Sequence, residues 1–386
     1  MKVLHIFPVH EIGGAETVSM NLMRFRRRDD IEHEAILVSN HDGALGAELS
    51  RMGIPWARVL RGRMRNPRDL WKAASALRQH VLARSPDVFL SNSAQGFLYG
   101  RLATIGRGVS GALYQMSVPS DRWWRNGPLD WLTAAAQPEI VFAASAAIGH
   151  RVAGWSIAPV QTVYHGAPVP KCEPAALACV QHELHALGVD ADAPVVLMPG
   201  RLQAWKGQRV LLAAFAEVLA EFPTAHAVCL GSALFGLEAA YPQQLADEVR
   251  ARGLEKRFHF VPHQGVAPWL ERATIVVHAS LSADAFPNVC IEALACRRAL
   301  ITNTLSGTAE IVEHLKDAMV VPPADHLALS AAIQYLLRDP GKRAEMAEAG
   351  HAAYLLNCTP AHMVDAIESG LSRITELAQA RGKRAA

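Results

Sequence analysis

The chain has 386 residues, 51% of them hydrophobic and 19% charged, with a formal net charge of +2. This composition is typical of a globular protein and excludes a disordered or low-complexity chain. The length favours two domains over one core. No run of 18 apolar residues occurs, so we expect no membrane-spanning helix.

The cysteines and the first residues point to the cytoplasm. The six cysteines form no C-x-x-C pair, and several lie in apolar runs, which is typical of small core residues in a reducing cytosol. The amino-terminal M-K-V-L-H-I-F-P lacks a small-residue cleavage site and predicts a first strand instead of a signal peptide. The histidines show no H-E-x-x-H or similar spacing, so no metal is expected.

The charge is unevenly distributed. Residues 1–170 hold 19 Lys and Arg against 13 Asp and Glu, with basic clusters at 24–28 and 51–72 and a tryptophan-rich stretch at 121–131. One interpretation is a solvated basic face; the other is a patch that meets an anionic membrane surface or a phosphate-bearing acceptor. No recognised nucleic-acid motif accompanies the charge, so nucleic acid is not an expected partner.

The first half alternates β-branched runs with helical patterns, which predicts an α/β fold with a parallel sheet covered by helices. The predicted strands are 3–7, 34–39, 87–91, 112–118 and 140–145, and the predicted helices are 15–24 and 69–82.

Gly13 and Gly14 follow the first strand and precede a helix. Such a pair lets backbone approach a ligand and leaves N–H groups for a phosphate, although it equally suits a structural turn. It is not the dinucleotide fingerprint G-x-G-x-x-G.

The proline-rich segment 166–193 predicts the domain linker, with a helix at 175–187 opening the second domain. The alternation then restarts, with a helix predicted at 207–221. The predicted strands of this half are 195–199, 225–230, 258–261, 275–279, 299–303 and 319–321.

The segment V-V-L-M-P-G-R-L-Q-A-W-K-G places Arg201 and Lys206 just after a buried strand. Ligands of open α/β sheets bind at that edge. Two cations five residues apart can converge on one diphosphate, and we expect both to be exposed. The alternative is an ordinary basic loop.

The segment S-A-D-A-F-P-N-V-C-I-E-A places two carboxylates, Asp284 and Glu292, on either side of a turn at 285–287. Pro287 disfavours helix before it and suits a helix start, so a helix is predicted from Asn288. Backbone N–H groups at 286–289 would then point between the acids, an arrangement that suits an anionic, polyhydroxylated ligand such as a nucleotide sugar. Farther along, Ser306, Gly307 and Thr308 are predicted to form a polar loop before a helix containing Glu310.

The order of these motifs resembles family 4 retaining glycosyltransferases of the GT-B fold, also called glycosyl transferases group 1. The resemblance implies two Rossmann-like domains facing each other across a cleft. An acceptor-binding domain would span 1–168 and a donor-binding domain 169–358, and a C-terminal helix in 359–386 would cross back to the first domain.

The resemblance implies an enzyme that moves a sugar with retention from a UDP-sugar or GDP-mannose to a glycan, lipid-linked or polysaccharide-precursor acceptor. With the cysteine pattern and the basic, tryptophan-rich first half, we expect it in the cytoplasm, peripheral at the inner membrane face. Arg201 and Lys206 would neutralise the donor diphosphate, so no metal or other cofactor is expected, and Asp284 would hold the transferred sugar. The other residues that it assigns to donor binding lie in loops and at helix starts: Gly14, Gly200, Phe286, Pro287, Asn288, Val289, Glu292 and Thr308.

Three features depart from the family pattern. Asp284 stands where the family has Glu, Ala285 where it has Gly, and no His occurs near 114–118, where the family usually has one. Glu16, Ser117 and Asp121 are the candidates for the acceptor or sugar pocket. His165 is expected to be a hinge residue. A nucleotide-sugar epimerase, a phosphorylase and a non-catalytic nucleotide-sugar-binding protein remain as alternatives.

Overall fold

The computed structural model of the protein describes residues 1–60, 66–117, 136–154, 156–233, 238–262 and 264–385. It divides into two compact units, one formed by Met1–Gly166 with Thr359–Ala386 and the other by Ala167–Cys358. The tryptophan-rich stretch 121–131, including Asp121, and residues 61–65 of a basic cluster lie outside the described residues.

The first unit contains a seven-stranded parallel sheet in the order β3-β2-β1-β4-β5-β6-β7. Its strands are β1 (Lys2–Phe7), β2 (Glu32–Val38), β3 (Trp56–Val59), β4 (Val88–Ser91), β5 (Ser110–Gln115), β6 (Ile140–Ala143) and β7 (Val160–Thr162). Its helices are α1 (Gly14–Arg24), α2 (Ala44–Arg51), α3 (Pro67–Arg84), α4 (Ala94–Thr104), α5 (Ala146–Ala153) and, from the end of the chain, α13 (Pro360–Ala385).

The five strands predicted here are present, and the predicted end of two of them was wrong. Strand β5 ends at Gln115 and β6 at Ala143. Strand β6 ends early because Ser145 instead caps α5 by accepting a hydrogen bond from the Ile148 N–H. Two strands were not predicted. Strand β3 carries one buried residue in four, and β7 has none, because they pair at the sheet edges and lack the continuous apolar run of a buried parallel strand.

Helix α13 is held to the first unit by packing and by the basic run at 24–28. Its apolar face, which includes Met363, Val364 and Ile367, is buried. The Arg27 guanidinium lies 2.8 Å from an Asp365 carboxylate oxygen. Neighbouring arginines of this run are also paired with acids, Arg24 with Glu48 and Arg28 with Asp30. These charges therefore serve contacts within the unit.

The second unit contains a six-stranded parallel sheet in the order β10-β9-β8-β11-β12-β13. Its strands are β8 (Val195–Pro199), β9 (His226–Leu230), β10 (Phe258–Val261), β11 (Ile275–Val277), β12 (Ala299–Asn303) and β13 (Met319–Val321). Its helices are α6 (Pro174–Ala186), α7 (Gln208–Glu221), α8 (Tyr241–Ala251), α9 (Ala267–Arg272), α10 (Asn288–Ala295), α11 (His326–Arg338) and α12 (Pro340–Asn357).

All six predicted strands of this sheet are present, because a parallel sheet covered on both faces needs near-continuous apolar strands that are easy to recognise. Two local predictions were wrong. Strand β11 ends at Val277 and not at residue 279. Residues 306–308 do not form a loop before a helix; Ser306 caps a single 3₁₀ turn, Gly307–Glu310, by accepting a hydrogen bond from the Thr308 N–H. None of the described helices is both long and apolar enough to cross a membrane.

Candidate active site

The candidate site lies where strands β8 and β11 end, in the second unit. The two strands are neighbours in the sheet, but the chain runs from β8 to β9 on one side and from β11 to β12 on the other. Loops that leave neighbouring strands in opposite directions open a crevice at the carboxyl edge, which is where open α/β sheets bind ligands.

The loop after β8 presents Lys206 from a rigid turn. A 3₁₀ helix, Ala204–Lys206, is followed by Gly207 at φ +86°, which caps the start of α7. A Cβ atom on Gly207 would lie 2.0 Å from the Ala279 carbonyl oxygen, so only glycine fits here. This close approach holds the loop against the residues that follow β11.

Lys206 and Asp284 form the centre of the site. The Lys206 Nζ lies 2.6 Å from Asp284 Oδ2, and the two side chains are 18% and 15% exposed. The ammonium also lies 4.0 Å from the centroid of the Trp205 ring, a favourable cation–π contact. The expectation that Lys206 is an exposed cation was wrong, since its charge is already paired and largely covered.

Two residues after β11 complete the surroundings of Asp284. Its Oδ2 atom lies 3.1 Å from His278 Nε2 and accepts a hydrogen bond from Ser280 Oγ at 3.2 Å. His278 Nδ1 lies 3.2 Å from Thr302 Oγ1 on β12. In the neutral tautomer that fits these partners, Nε2–H donates to the carboxylate and Nδ1 accepts from the hydroxyl.

This network fixes the charge of Asp284. Burial alone would raise the pKa of its carboxyl group, but the hydrogen bond from His278 and the charge of Lys206 outweigh burial and hold the pKa well below its usual value. The carboxylate is therefore ionised throughout the physiological range. The side-chain contacts from Lys206, His278 and Ser280 all use Oδ2.

Sequence reasoning missed His278, Ser280 and Thr302. The signal was present as H-A-S directly after an apolar strand, since polar side chains at the carboxyl end of a parallel strand face the ligand edge.

The backbone around Asp284 is also held by residues that follow strand β12. The Asp284 N–H donates to the Leu305 carbonyl and the Gly307 N–H donates to the Asp284 carbonyl, at 3.0 and 2.9 Å. A Cβ atom on Gly307 would lie 1.8 Å from the Ala285 carbonyl oxygen. Thr308 is fully buried beside this contact.

The turn at 285–287 leads into α10 as predicted. Phe286 is buried, Pro287 occupies the extended position before the helix, and Asn288 and Val289 form its first turn. Glu292 lies in the second turn, partly buried, and burial raises the pKa of its carboxyl group to about 7.

Arg201 differs from Lys206. It follows Gly200, whose N–H donates to the Leu230 carbonyl at 2.9 Å. Arg201 is partly buried, so the expectation that it is exposed was also wrong. Within the described ranges Arg201 forms no ion pair. Among those residues, no group of three or more His, Cys, Asp or Glu is arranged to hold a metal ion.

In the first unit, the predicted residues make local contacts. Gly14 opens α1, and the Glu16 carboxylate accepts from the Gly13 N–H at 3.0 Å and from Asn92 Nδ2 at 3.1 Å. The Gly13 N–H, expected to serve a phosphate, is thus occupied by Glu16. Ser117 accepts two hydrogen bonds from the Gln115 amide.

His165 lies one residue before Gly166, where the segment Met1–Gly166 of the first unit ends. It is buried, and its ring stands edge-on to Tyr114 with 5.8 Å between centroids.

The chain is similar to several known proteins. Residues 181–353 match the family model "Glycosyl transferases group 1". Two similar curated proteins are D-inositol 3-phosphate glycosyltransferases, from Corynebacterium urealyticum (28% identity, 50% of this chain and 46% of that protein) and from Kineococcus radiotolerans (33%, 42% and 40%). The matched part of this chain thus spans less than half the length of either relative.

Two solved structures cover nearly the whole chain. Anabaena HepE in complex with UDP-glucose superposes with a TM-score of 0.83 at 23% identity, covering 97% of this chain and all of the other. Sucrose-phosphate synthase from Thermosynechococcus elongatus gives 0.78 at 18% identity, covering 97% and 99%. At these identities the likeness establishes the fold. Residues 181–353 are thus similar to the glycosyl transferases group 1 family, and the two parallel-sheet units have the GT-B fold.

Proposed function

We propose that the protein is a retaining glycosyltransferase that moves a sugar from a nucleoside-diphosphate sugar to a glycan, lipid-linked or polysaccharide-precursor acceptor. The observation that carries this proposal is the Lys206–Asp284–His278 network at the edge where β8 and β11 end. An ionised carboxylate beside an ammonium, at the carboxyl edge of the sheet and next to the start of α10, suits a ligand that is both anionic and rich in hydroxyls.

A UDP-sugar is the first donor to test, because a structure of the same fold contains UDP-glucose; GDP-mannose is the second. Since two similar proteins are named D-inositol 3-phosphate glycosyltransferases, an inositol phosphate belongs in the acceptor panel beside glycan and lipid-linked acceptors.

In the proposed reaction, the acceptor hydroxyl oxygen bonds to the anomeric carbon as the bond from that carbon to the diphosphate oxygen breaks. Attack and departure take place on the same face, which preserves the anomeric configuration. The proton of the acceptor hydroxyl passes to the departing phosphate oxygen.

Arg201 and Lys206 stabilise the negative charge that develops on the leaving diphosphate. Lys206 has three N–H donors and uses one on Asp284, so two remain for phosphate oxygens. Arg201 brings a planar fork that binds phosphate oxygens bidentately. Because these groups supply positive charge, we propose that transfer proceeds without a metal ion.

Asp284 acts by recognition. Three donors hold its Oδ2, and Oδ1 accepts from hydroxyls of the transferred sugar. Glu292 holds the ribose. Holding the anomeric carbon in position accelerates the transfer by orienting the reactants, and no protein group transfers a proton.

The test is an assay with radiolabelled UDP-glucose and GDP-mannose, with and without EDTA, with the anomeric configuration of the product read by NMR. Transfer or slow donor hydrolysis, insensitive to EDTA, supports the proposal. Arg201→Ala should abolish turnover, whereas Arg209→Ala, which removes an exposed arginine of α7 paired with Glu248, should not. Epimerised donor without transfer identifies an epimerase, and binding without turnover identifies a binding protein.

A further inference from the structure

The second unit has a cavity of ≈ 420 Å³ at the opposite end of its sheet from the candidate active site. Residues before β11 and β12, and the start of α12, line it. Four arginines contribute to the lining, Arg272, Arg297, Arg298 and Arg343, and among the described residues Glu271 contributes the single carboxylate.

Two of these arginines have no acid to pair with. The Arg272 guanidinium donates to the carbonyls of Asp190 and Ala193, both at 2.9 Å. Arg343 donates to the Leu336 carbonyl at 2.8 Å. Neither forms an ion pair with any residue in the described part of the chain. Both are partly buried, and charges removed from water normally have a partner of opposite sign.

Burial lowers the pKa of both guanidinium groups, and the more distant carboxylates of Asp192 and Asp339 oppose this change only in part.

The other two arginines form ion pairs, but these pairs do not use all of their N–H donors. Arg298 lies 2.9 Å from Glu271, with 25% of its side chain exposed, while its Nε is buried and lacks a hydrogen-bond partner among the described residues. Arg297 lies 3.1 Å from Glu348 at the more exposed rim. The cavity therefore retains N–H donors and an excess of positive charge.

The backbone at this cavity supports a specific arrangement. Helix α10 ends at Ala295, and Arg297 follows with φ +52°, a left-handed conformation in which glycine is strongly preferred. The N–H groups of Arg297 and Arg298 donate to carbonyls in the last turn of the helix. This turn places two arginine side chains in succession beside the cavity.

We propose that this cavity binds the phosphate group of a small phosphorylated molecule, held by Arg272, Arg298 and Arg343. Arginine matches phosphate oxygens bidentately. The volume of the cavity also lies in the range of small-molecule sites, roughly 300–1,000 Å³. This volume is larger than one phosphate group fills, so the rest of a small molecule has room beside the phosphate. The site is separate from the diphosphate site of the donor and does not depend on the proposed transfer reaction.

Calorimetric titration of the full chain with inorganic phosphate and with glucose 6-phosphate, at constant ionic strength set by chloride, tests the proposal. We expect saturable binding of both probes, tighter for the phosphomonoester. Equal binding of the two would identify free phosphate as the ligand and overturn the phosphorylated-molecule assignment. Arg343→Gln should weaken binding at least about tenfold, the effect of losing one charged hydrogen-bond partner.

Two further comparisons locate the binding. Lys206→Gln, which alters the donor site, should leave the affinity unchanged; binding that is lost only in this variant would overturn the proposal. Ala344→Glu adds a carboxylate to the cavity wall without removing an arginine contact, so it decides the question even if Arg343→Gln does not fold. It should abolish binding, whereas Ala352→Glu, an exposed alanine on the same helix outside the cavity, should not. Equal affinities in both variants would refute the site.

Discussion

Replacing His278 is the most direct test of how the site holds Asp284. His278 is 4% exposed and contributes one of the three donors to Asp284 Oδ2 while bonding Thr302 through its other nitrogen. His278→Ala removes a hydrogen bond to a charged group, worth about 1.5–3 kcal/mol, and leaves a space in a packed region. We expect a fall in the free energy of unfolding of about 2–4 kcal/mol.

The same loss should affect activity, because an Asp284 carboxylate held by fewer donors positions the sugar less well. A loss of about 1.4–2.7 kcal/mol of transition-state stabilisation corresponds to a fall in kcat/KM of roughly 10- to 100-fold. His278→Gln can place a side-chain N–H near the position of Nε2, so it should recover a large part of the lost activity while still lacking the contact to Thr302.

A pH profile separates positioning from a general loss of stability. Since the hydrogen bond from His278 helps to hold the pKa of Asp284 well below its usual value, the wild type should show no acidic limb from Asp284 above pH 4, and His278→Ala should move this limb to higher pH. The assay is initial-rate donor turnover measured by radiolabel between pH 4 and 8 at a temperature where both variants stay folded. A variant with kcat/KM within about twofold of wild type and an unmoved acidic limb would refute the reasoning.

Further outcomes follow from the same geometry. Lys206→Ala leaves the largely buried Asp284 carboxylate without its ion-pair partner, so urea unfolding should show a fall of about 1–3 kcal/mol in the free energy of unfolding. Replacing Asp284 by alanine as well should recover part of this loss. Strictly additive effects in the double variant would contradict the coupling between the two side chains. Gly207→Ala should lower the free energy of unfolding by about 3 kcal/mol or more. Gly253→Ala, also at positive φ but with open space around it, should lower it by about 1 kcal/mol. Equal melting temperatures of the two variants would show that the backbone contact at Gly207 is unimportant. Burial lowers the pKa of His33 and of His226 to about 4, so below pH 6.5 the folded state binds fewer protons than the unfolded state. The free energy of unfolding should therefore fall by about 2 kcal/mol per histidine between pH 7.5 and 5. Unfolding free energies that are constant over this range would contradict this prediction.

The local structure of the candidate site could be predicted from the sequence because short-range rules determine it. Pro287 cannot continue a helix from the residue before it but suits the start of one, and α10 begins at Asn288. The buried strands of the second sheet were recognisable because they are continuous apolar runs. The short edge strands β3 and β7 were not, since their pairing depends on a neighbouring strand and not on their own composition.

The contacts that define the site were decided only by the tertiary structure. Lys206 and Asp284 are 78 residues apart, and they meet because β8 and β11 are neighbours in the sheet, an order that no local pattern encodes. The same is true of His278, which follows β11, and Thr302, which lies on the neighbouring strand β12. The sequence by itself determined which residues carry charge at strand ends. The sheet order determined which of these charges neutralise each other, and it thereby made Lys206 a largely buried partner of Asp284, while Arg201 keeps an unpaired charge among the described residues.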